Sequence, residues 1–124
     1  MANSLRILLV DDDSTVREPL ADLLSDQGYR VYEAENGREA LNLLDNIPRP
    51  DLILLDIFMP VMDGFEFRRN QLANDRLSEI PVIVMSADPR VAEKRERTQA
   101  KEYFRKPLNV SSLLGTLTTS LTMC

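Results

Sequence analysis

Five short apolar runs in this chain alternate with stretches in which apolar residues recur at helical spacing. Alternation of this kind is typical of βα units and predicts an α/β fold. Because crossovers between parallel strands are right-handed, the units should form a doubly wound, five-stranded parallel sheet with helices on both faces. The predicted strands cover residues 5–10, 31–34, 52–56, 81–85 and 102–105.

The helical stretches carry start and stop signals. Gly28 is placed to end the first helix, Asn36 and Gly37 lead into the second, and the two prolines within residues 47–50 end it. A third helix should begin near Asp63. The side chains expected to face the sheet are Val16, Leu20, Leu23, Leu24, Ala40, Leu41, Leu44, Phe65, Leu72, Val110, Leu113, Leu114, Leu117 and Leu121.

Two places conflict with local helix rules. Pro19 lies within the first predicted helix, where it removes a backbone hydrogen bond, so a kink or a delayed start is expected. Residues 90–101 should form a fourth helix, but Val91, Ala92 and Ala100 are its few apolar residues. A helix with so thin an apolar stripe is predicted to be marginal and mobile.

Composition narrows the class of protein. The 124 residues suit one domain, and the net charge of -5 disfavours non-specific binding to nucleic acid or to anionic membranes. Apolar runs of about six residues fall far below the roughly 18 that span a bilayer, and the start lacks a secretory signal, so a cytoplasmic location is expected. The lone Cys124 cannot form an intrachain disulfide, and the lack of histidine removes the commonest general base.

Polar residues follow the predicted strands at the point where each one ends. Asp11 and Asp12 follow the first strand, Asp56 ends the third, Ser86 follows the fourth and Lys106 follows the fifth. A parallel sheet brings all these ends to one edge. Two carboxylates about 5 Å apart repel by roughly 3 kcal/mol at an effective dielectric constant near 20, so a cation should bind there. Oxygen ligands favour Mg²⁺, and with Lys106 the formal charge then sums to zero, which suits a phosphoryl group.

Each of these residues also has a simpler interpretation. An Asp-Asp pair before a helix is more often a cap, although Asp13 or Ser14 is better placed to cap the first helix. Asp56 alone would be read as the start of a turn. Ser86 and Lys106 alone would be ordinary surface residues. Their common position at the strand ends favours a site.

In combination these motifs resemble the receiver domain of bacterial response regulators, over essentially the whole chain, residues 1–124. The resemblance implies a flavodoxin-like (βα)5 fold with strand order 2-1-3-4-5. It also implies that Asp12 is a direct Mg²⁺ ligand, that Asp11 is a ligand or holds a water, and that Asp56 is the phosphoacceptor. The carbonyl of Phe58 would complete the metal site.

The same resemblance assigns the switch residues. Ser86 matches the hydroxyl switch, Tyr103 the aromatic switch, and Lys106 the lysine that contacts the phosphate, followed by a proline whose peptide bond is often cis. The implied partners are a sensor histidine kinase or a histidine phosphotransfer protein as donor of the phosphoryl group. A downstream protein would bind the face formed by the fourth helix, the fifth strand and the fifth helix. Such a protein is not a conventional enzyme, although it catalyses its own aspartyl phosphorylation and dephosphorylation.

Departures from the family pattern lie mainly between Ser86 and Tyr103. This connection is about two residues shorter than usual, and residues 98–102 replace a turn that usually contains glycine. From Asp88 to Lys106 there are seven basic and four acidic residues, a pattern that fits a solvated face or a docking surface for an acidic partner.

Other functions stay open on the sequence. Residues 11–15 also match the Asp-x-Asp-x-Thr motif of haloacid dehalogenase-type phosphatases, which would make Asp11 the nucleophile of a small Mg²⁺ enzyme. The short chain and the position of Asp56 weigh against that alternative. A receiver-like binding module that is never phosphorylated is a third possibility. A stand-alone receiver is expected because no effector domain follows Leu121, although a truncated chain would look the same.

Overall fold

The computed structural model describes residues 5–88 and 98–122, and the sheet within them has the predicted topology. All its strands are parallel, in the order β2-β1-β3-β4-β5. The described elements are β1 (Arg6–Val10), α1 (Ser14–Asp26), β2 (Arg30–Ala34), α2 (Gly37–Leu44), β3 (Leu52–Asp56), α3 (Gly64–Leu72), β4 (Val82–Ser86), β5 (Glu102–Arg105) and α4 (Val110–Thr122).

The strand boundaries agree with prediction to within one residue. β3 and β5 have the predicted bounds, whereas β4 is displaced by one and includes Ser86. Ser86 belongs to the strand because it pairs with Arg105, and its carbonyl accepts a hydrogen bond from the amide of Lys106 at 2.8 Å. The backbone that carries this hydroxyl is therefore held by the β ladder and does not belong to a loop.

The core lies on both faces of the sheet, as predicted. Successive residues of β1 alternate between the faces, so that Leu8 packs with the cluster containing Phe67 of α3, whereas Ile7 packs with the cluster containing Leu24 of α1 and Leu117 of α4. β1, β3 and β4 are central and almost wholly buried, which explains their continuous apolar runs.

The ends of α1 follow the sequence signals. The side chain of Asp13 accepts a hydrogen bond from the amide of Thr15 at 3.0 Å and caps the helix. This confirms the prediction that Asp13 or Ser14 caps α1. Gly28 has φ +98°, the left-handed conformation that follows many helix ends. The helix begins before Pro19 and runs through it, so the proline does not delay the start. The predicted kink stays a prediction.

One predicted core position is wrong, and α3 buries a residue that was not predicted. Val110 at the start of α4 is 42% exposed, while Leu113, Leu117 and Leu121 bury the same helix. Leu72 in α3 is only half-buried, and its neighbour Gln71 is fully buried instead. α3 therefore turns a polar side chain inward, which periodicity of apolar residues does not predict.

Some predictions concern residues that the structure does not describe. Most of the predicted helix at 90–101, the middle of the charged segment at 88–106, and Cys124 lie outside the described residues. Within the described part of the chain, no helix combines the length and apolar character needed to cross a bilayer. The cytoplasmic location stays a prediction.

Candidate functional site

Three carboxylates meet at the carboxyl edge of the sheet. Asp11 and Asp12 follow β1, and Asp56 is the last residue of β3, the neighbouring strand. One carboxylate oxygen from each residue lies within 4.8 Å of the others. Asp11 and Asp56 are buried, whereas Asp12 is exposed. The cluster therefore opens to solvent on the side of Asp12.

Burial and repulsion change the acidity of Asp56. Desolvation, followed by the charge of Asp11, raises the pKa of Asp56 to about 7, although Lys106 and the amide of Ile57 oppose the shift. The amide of Ile57 donates a hydrogen bond to Asp56 Oδ1 at 3.0 Å. Near neutral pH this carboxyl is balanced between its charged and neutral forms, so a bound cation would readily ionise it.

Lys106 lies between two of the carboxylates. Its ammonium group donates a hydrogen bond to Asp11 Oδ2 at 2.6 Å and lies 3.7 Å from Asp56 Oδ1. Burial alone would lower the pKa of Lys106, but the bond to Asp11 and the surrounding carboxylates raise it above its usual value. The group is therefore cationic at neutral pH. The peptide bond from Lys106 to Pro107 is cis, as the resemblance implied.

Arg17, which the sequence pattern did not predict as part of the site, holds the backbone at Asp11. Its guanidinium is mostly buried, donates to the carbonyl of Asp11 at 2.8 Å, and donates through Nε to Glu33 at 3.1 Å. The amide of Asp13 donates to Asp11 Oδ1 at 2.9 Å. The sequence did contain a signal for its burial. Arg17 lies at the same helical spacing as Leu20, Ala21 and Leu24, which are the other buried residues of α1.

The loop after β3 is packed against the end of that strand. The amide of Gly64 donates to the carbonyl of Ile57 at 2.7 Å, and a Cβ at Gly64 would lie 2.6 Å from the carbonyl oxygen of Asp56. Val61 has φ +68°, a strained conformation for a β-branched residue. Phe58 is 47% exposed and makes an edge-to-face contact with Phe65. The loop therefore presents an apolar ring at the rim of the site.

The two predicted switch residues lie on neighbouring strands. Ser86 at the end of β4 is buried, and its hydroxyl oxygen accepts a hydrogen bond from the amide of Asp88 at 3.1 Å. Tyr103 in β5 is half-buried against the cluster that contains α3. The Tyr103 hydroxyl is buried and finds no hydrogen-bond partner within residues 5–88 and 98–122. The hydroxyl therefore lies buried on the strand next to the one that carries Ser86.

The donor set fits Mg²⁺. It consists of hard carboxylate oxygens, without the nitrogen or sulfur ligands that transition metals prefer. Three carboxylates and one ammonium carry a formal charge of about −2, which a divalent ion would neutralise. The arrangement can therefore hold a hard cation beside a buried carboxylate.

Comparison with known proteins finds a matching family and relatives over most of the chain. The family described as response regulator receiver domain matches residues 7–118. Response regulator MprA of Mycolicibacterium vanbaalenii is 40% identical over 113 residues, which are 90% of this chain and 48% of that protein. Protein PilH of Pseudomonas aeruginosa is 35% identical over 90% of this chain and 93% of its own. This chain thus spans about half the length of MprA and nearly all of PilH.

Solved structures show the same fold and, in two cases, a magnesium site. Chemotaxis response regulator CheY4 of Vibrio cholerae has a TM-score of 0.86 at 32% identity, covering 96% of this chain and all of that one. Response regulator TrrA of Thermotoga maritima, solved with Mg²⁺ and beryllofluoride, has a TM-score of 0.83 at 32% identity. The match covers 94% of this chain and 99% of that one. The receiver domain of sensor histidine kinase PA1611 of Pseudomonas aeruginosa was solved with magnesium in its active-site cleft. It has a TM-score of 0.84 at 27% identity, and the match covers 96% of this chain and 98% of that one.

The strand order, the acidic cluster and these similarities agree with one another. The chain belongs to the receiver domain family of the response regulators, which act in two-component signalling.

Proposed function

We propose that residues 1–124 form a single receiver domain that takes a phosphoryl group from a partner phosphohistidine onto Asp56. The observation that carries this proposal is the position of Asp56: a buried carboxylate at a strand end, grouped with Asp11 and Asp12 and 3.7 Å from Lys106. A carboxylate in this setting can act as a nucleophile toward phosphorus while neighbouring cations neutralise the incoming charge.

The proposed transfer is an in-line displacement. A carboxylate oxygen of Asp56 forms the new bond to phosphorus as the bond from phosphorus to the donor imidazole nitrogen breaks, and the histidine leaves. Asp11, Asp12, Asp56 and the carbonyl of Phe58 would hold Mg²⁺. When bound, the ion would supply positive charge to the phosphoryl oxygens. Lys106 would stabilise the same oxygens from the other side.

Phosphorylation would act as a switch at Ser86 and Tyr103. The hydroxyl of Ser86 would hydrogen-bond a phosphoryl oxygen, and this shift would stabilise the inward position of Tyr103. The buried Tyr103 hydroxyl, on the strand next to that of Ser86, supports an inward position of the ring. The donor would be a sensor histidine kinase or a histidine phosphotransfer protein. A downstream protein would bind the face formed by the fourth helix that the sequence predicts at residues 90–101, by β5 and by the following helix, α4.

The phosphatase alternative finds less support in the geometry. Its nucleophile would be Asp11, whose two oxygens already accept hydrogen bonds from Lys106 and from the amide of Asp13. Asp13, the second acid of that motif, caps α1 through Thr15. Asp11 is thus held by two hydrogen bonds and Asp13 caps a helix, whereas Asp56 faces the cluster with one hydrogen bond from Ile57.

The metal assignment is testable by thermal unfolding. Mg²⁺ should raise the midpoint temperature by mass action, and Asp12→Ala should abolish the rise. Asp22→Ala, an exposed acid on α1 away from the strand ends, is the matched control and should keep the rise. A rise that survives Asp12→Ala would contradict the metal site.

The phosphoryl site is testable with beryllofluoride. Titration calorimetry with Mg²⁺ present should show binding to the wild type and none to Asp56→Asn. Binding that persists in Asp56→Asn, or a wild type that binds no beryllofluoride, would contradict the proposed function.

A further inference from the structure

Two polar residues of α3 are buried where the fold calls for apolar side chains. Arg68 is 6% exposed and Gln71 is fully buried, on the face of α3 that also buries Phe67. The mechanism proposed above uses neither residue. Burying a guanidinium requires compensation through hydrogen bonds, because this group keeps its charge in proteins.

The partners of Arg68 are backbone carbonyls. Nε donates to the carbonyl of Thr98, and one terminal nitrogen donates to the carbonyl of Gln99 at 3.0 Å. The other terminal nitrogen donates to Gln71 Oε1 at 2.7 Å. Within the described residues no carboxylate forms an ion pair with Arg68. The guanidinium fork therefore serves to hold the chain at Thr98 and Gln99.

Gln71 extends this network to a second segment. Its amide nitrogen donates to the carbonyl of Leu77 at 2.8 Å and to that of Ile80 at 3.0 Å. Residues 77–80 lead into β4, and residues 98–99 lead into β5. The Arg68–Gln71 clamp thus joins the two segments that precede the strands carrying Ser86 and Tyr103.

β5 has reason to need such support. It is a four-residue strand at the edge of the sheet, and among the described residues it pairs with β4 alone. Just before it, Gln99 has φ +50°, a conformation that a non-glycine residue adopts only when its surroundings hold it there. The hydrogen bonds from Arg68 to Thr98 and Gln99 supply that restraint, four residues ahead of Tyr103.

We propose that Arg68, oriented by Gln71, is a positioning residue for Tyr103: it holds the amino end of β5 in the arrangement that buries the tyrosine hydroxyl. This inference rests on the proposed function, in which the inward ring accompanies phosphorylation. Loss of the clamp shifts the ring away from that position, so by linkage it weakens binding of a phosphoryl mimic. The proposed Mg²⁺ ligands at the carboxyl ends of β1 and β3 are not affected.

The test uses Arg68→Lys, which keeps the charge and loses the fork, with Arg69→Lys as the matched control on an exposed neighbour. With Mg²⁺ saturating, Arg68→Lys should weaken beryllofluoride binding about tenfold, within the range usual for coupling between two sites. Its Mg²⁺ affinity should stay within about twofold of the wild type, and Arg69→Lys should change neither.

A second readout follows Tyr103 directly. Fluorine NMR of protein labelled with 3-fluorotyrosine should give three resonances, one assigned to Tyr103 by Tyr103→Phe. Arg68→Lys should move the Tyr103 resonance toward that of exposed fluorotyrosine without any ligand. If Arg68→Lys does not fold, Gln71→Met carries the same two measurements.

The outcomes are distinct. A folded Arg68→Lys with the wild-type Tyr103 resonance and beryllofluoride affinity overturns the inference. So does a parallel loss of Mg²⁺ and beryllofluoride binding, which would indicate general damage. A wild type that binds no beryllofluoride would instead contradict the proposed function. In that case the fluorine resonance of Tyr103 still shows whether Arg68 positions this ring.

Discussion

At the scale of single residues, the site depends on charges held apart from water. Asp11 is fully buried, and its carboxylate accepts hydrogen bonds from Lys106 and from the amide of Asp13. Asp56 is buried beside it with fewer partners, and desolvation raises its pKa to about 7. The two neighbouring acids therefore differ: Asp11 is held by two hydrogen bonds, whereas the carboxyl of Asp56 changes its protonation near neutral pH.

The raised pKa of Asp56 predicts a pH-dependent stability without Mg²⁺. The folded state keeps the proton to about pH 7, whereas the unfolded chain loses it near pH 3.9, so the free energy of unfolding should fall between these values. Asp56→Asn should remove that fall. It should match the wild type near pH 4 and exceed it by about 2 to 4 kcal/mol near pH 8.

Urea unfolding at a series of pH values measures this difference. The same titration with Mg²⁺ present is the control, since the ion lowers the pKa and should shrink the gap. An Asp56→Asn variant no more stable than the wild type near pH 8 would contradict the buried, repelled carboxyl.

Arg17 gives a second prediction at this scale. It holds the carbonyl of Asp11 and bonds Glu33, so Arg17→Lys, which keeps the charge, should weaken Mg²⁺ binding by about tenfold, the lower end of outer-shell effects. Glu18→Gln removes only an exposed partner 3.8 Å from Arg17 and should leave Mg²⁺ affinity unchanged. Titration calorimetry measures the Mg²⁺ affinity of both variants. Equal affinities in Arg17→Lys and Glu18→Gln would exclude a positioning role for Arg17.

At the scale of elements, loops are fitted closely to strands at the edge that carries the site. The start of α3 is drawn against β3 by the bond from Gly64 to Ile57. The Asp63-Gly64 turn predicted the start of this helix correctly, with Asp63 as its cap. The depth of the contact could not be predicted, because it depends on how closely two backbones approach.

Two glycine variants test that contact. At Gly64 a methyl group would meet the carbonyl of Asp56 at 2.6 Å, and backbone cannot yield as a side chain does, so Gly64→Ala should destabilise the fold by about 3 kcal/mol or more. Gly115 in α4 has nothing within 4 Å of its position, so Gly115→Ala should stabilise by about 0.5 to 1 kcal/mol. Chemical denaturation compares them, and a neutral Gly64→Ala would refute the close packing.

At the scale of the whole molecule, a parallel sheet brings the ends of distant strands together. The sequence predicted Asp11, Asp12, Asp56 and Lys106 at one edge because apolar runs mark strands and a charge marks each end. It missed the buried arginines and Gln71. Their partners include the carbonyls of Asp11, Thr98 and Ile80, and a backbone carbonyl carries no residue identity that a pattern could reveal.

The most direct test of the central claim is the identity of the phosphorylated residue. The protein is incubated with a small acyl phosphate and Mg²⁺, trapped with borohydride and mapped by mass spectrometry. The label should appear on Asp56 and should be absent from Asp56→Asn and from samples without Mg²⁺. A label on Asp11, or none on the wild type, would contradict the account.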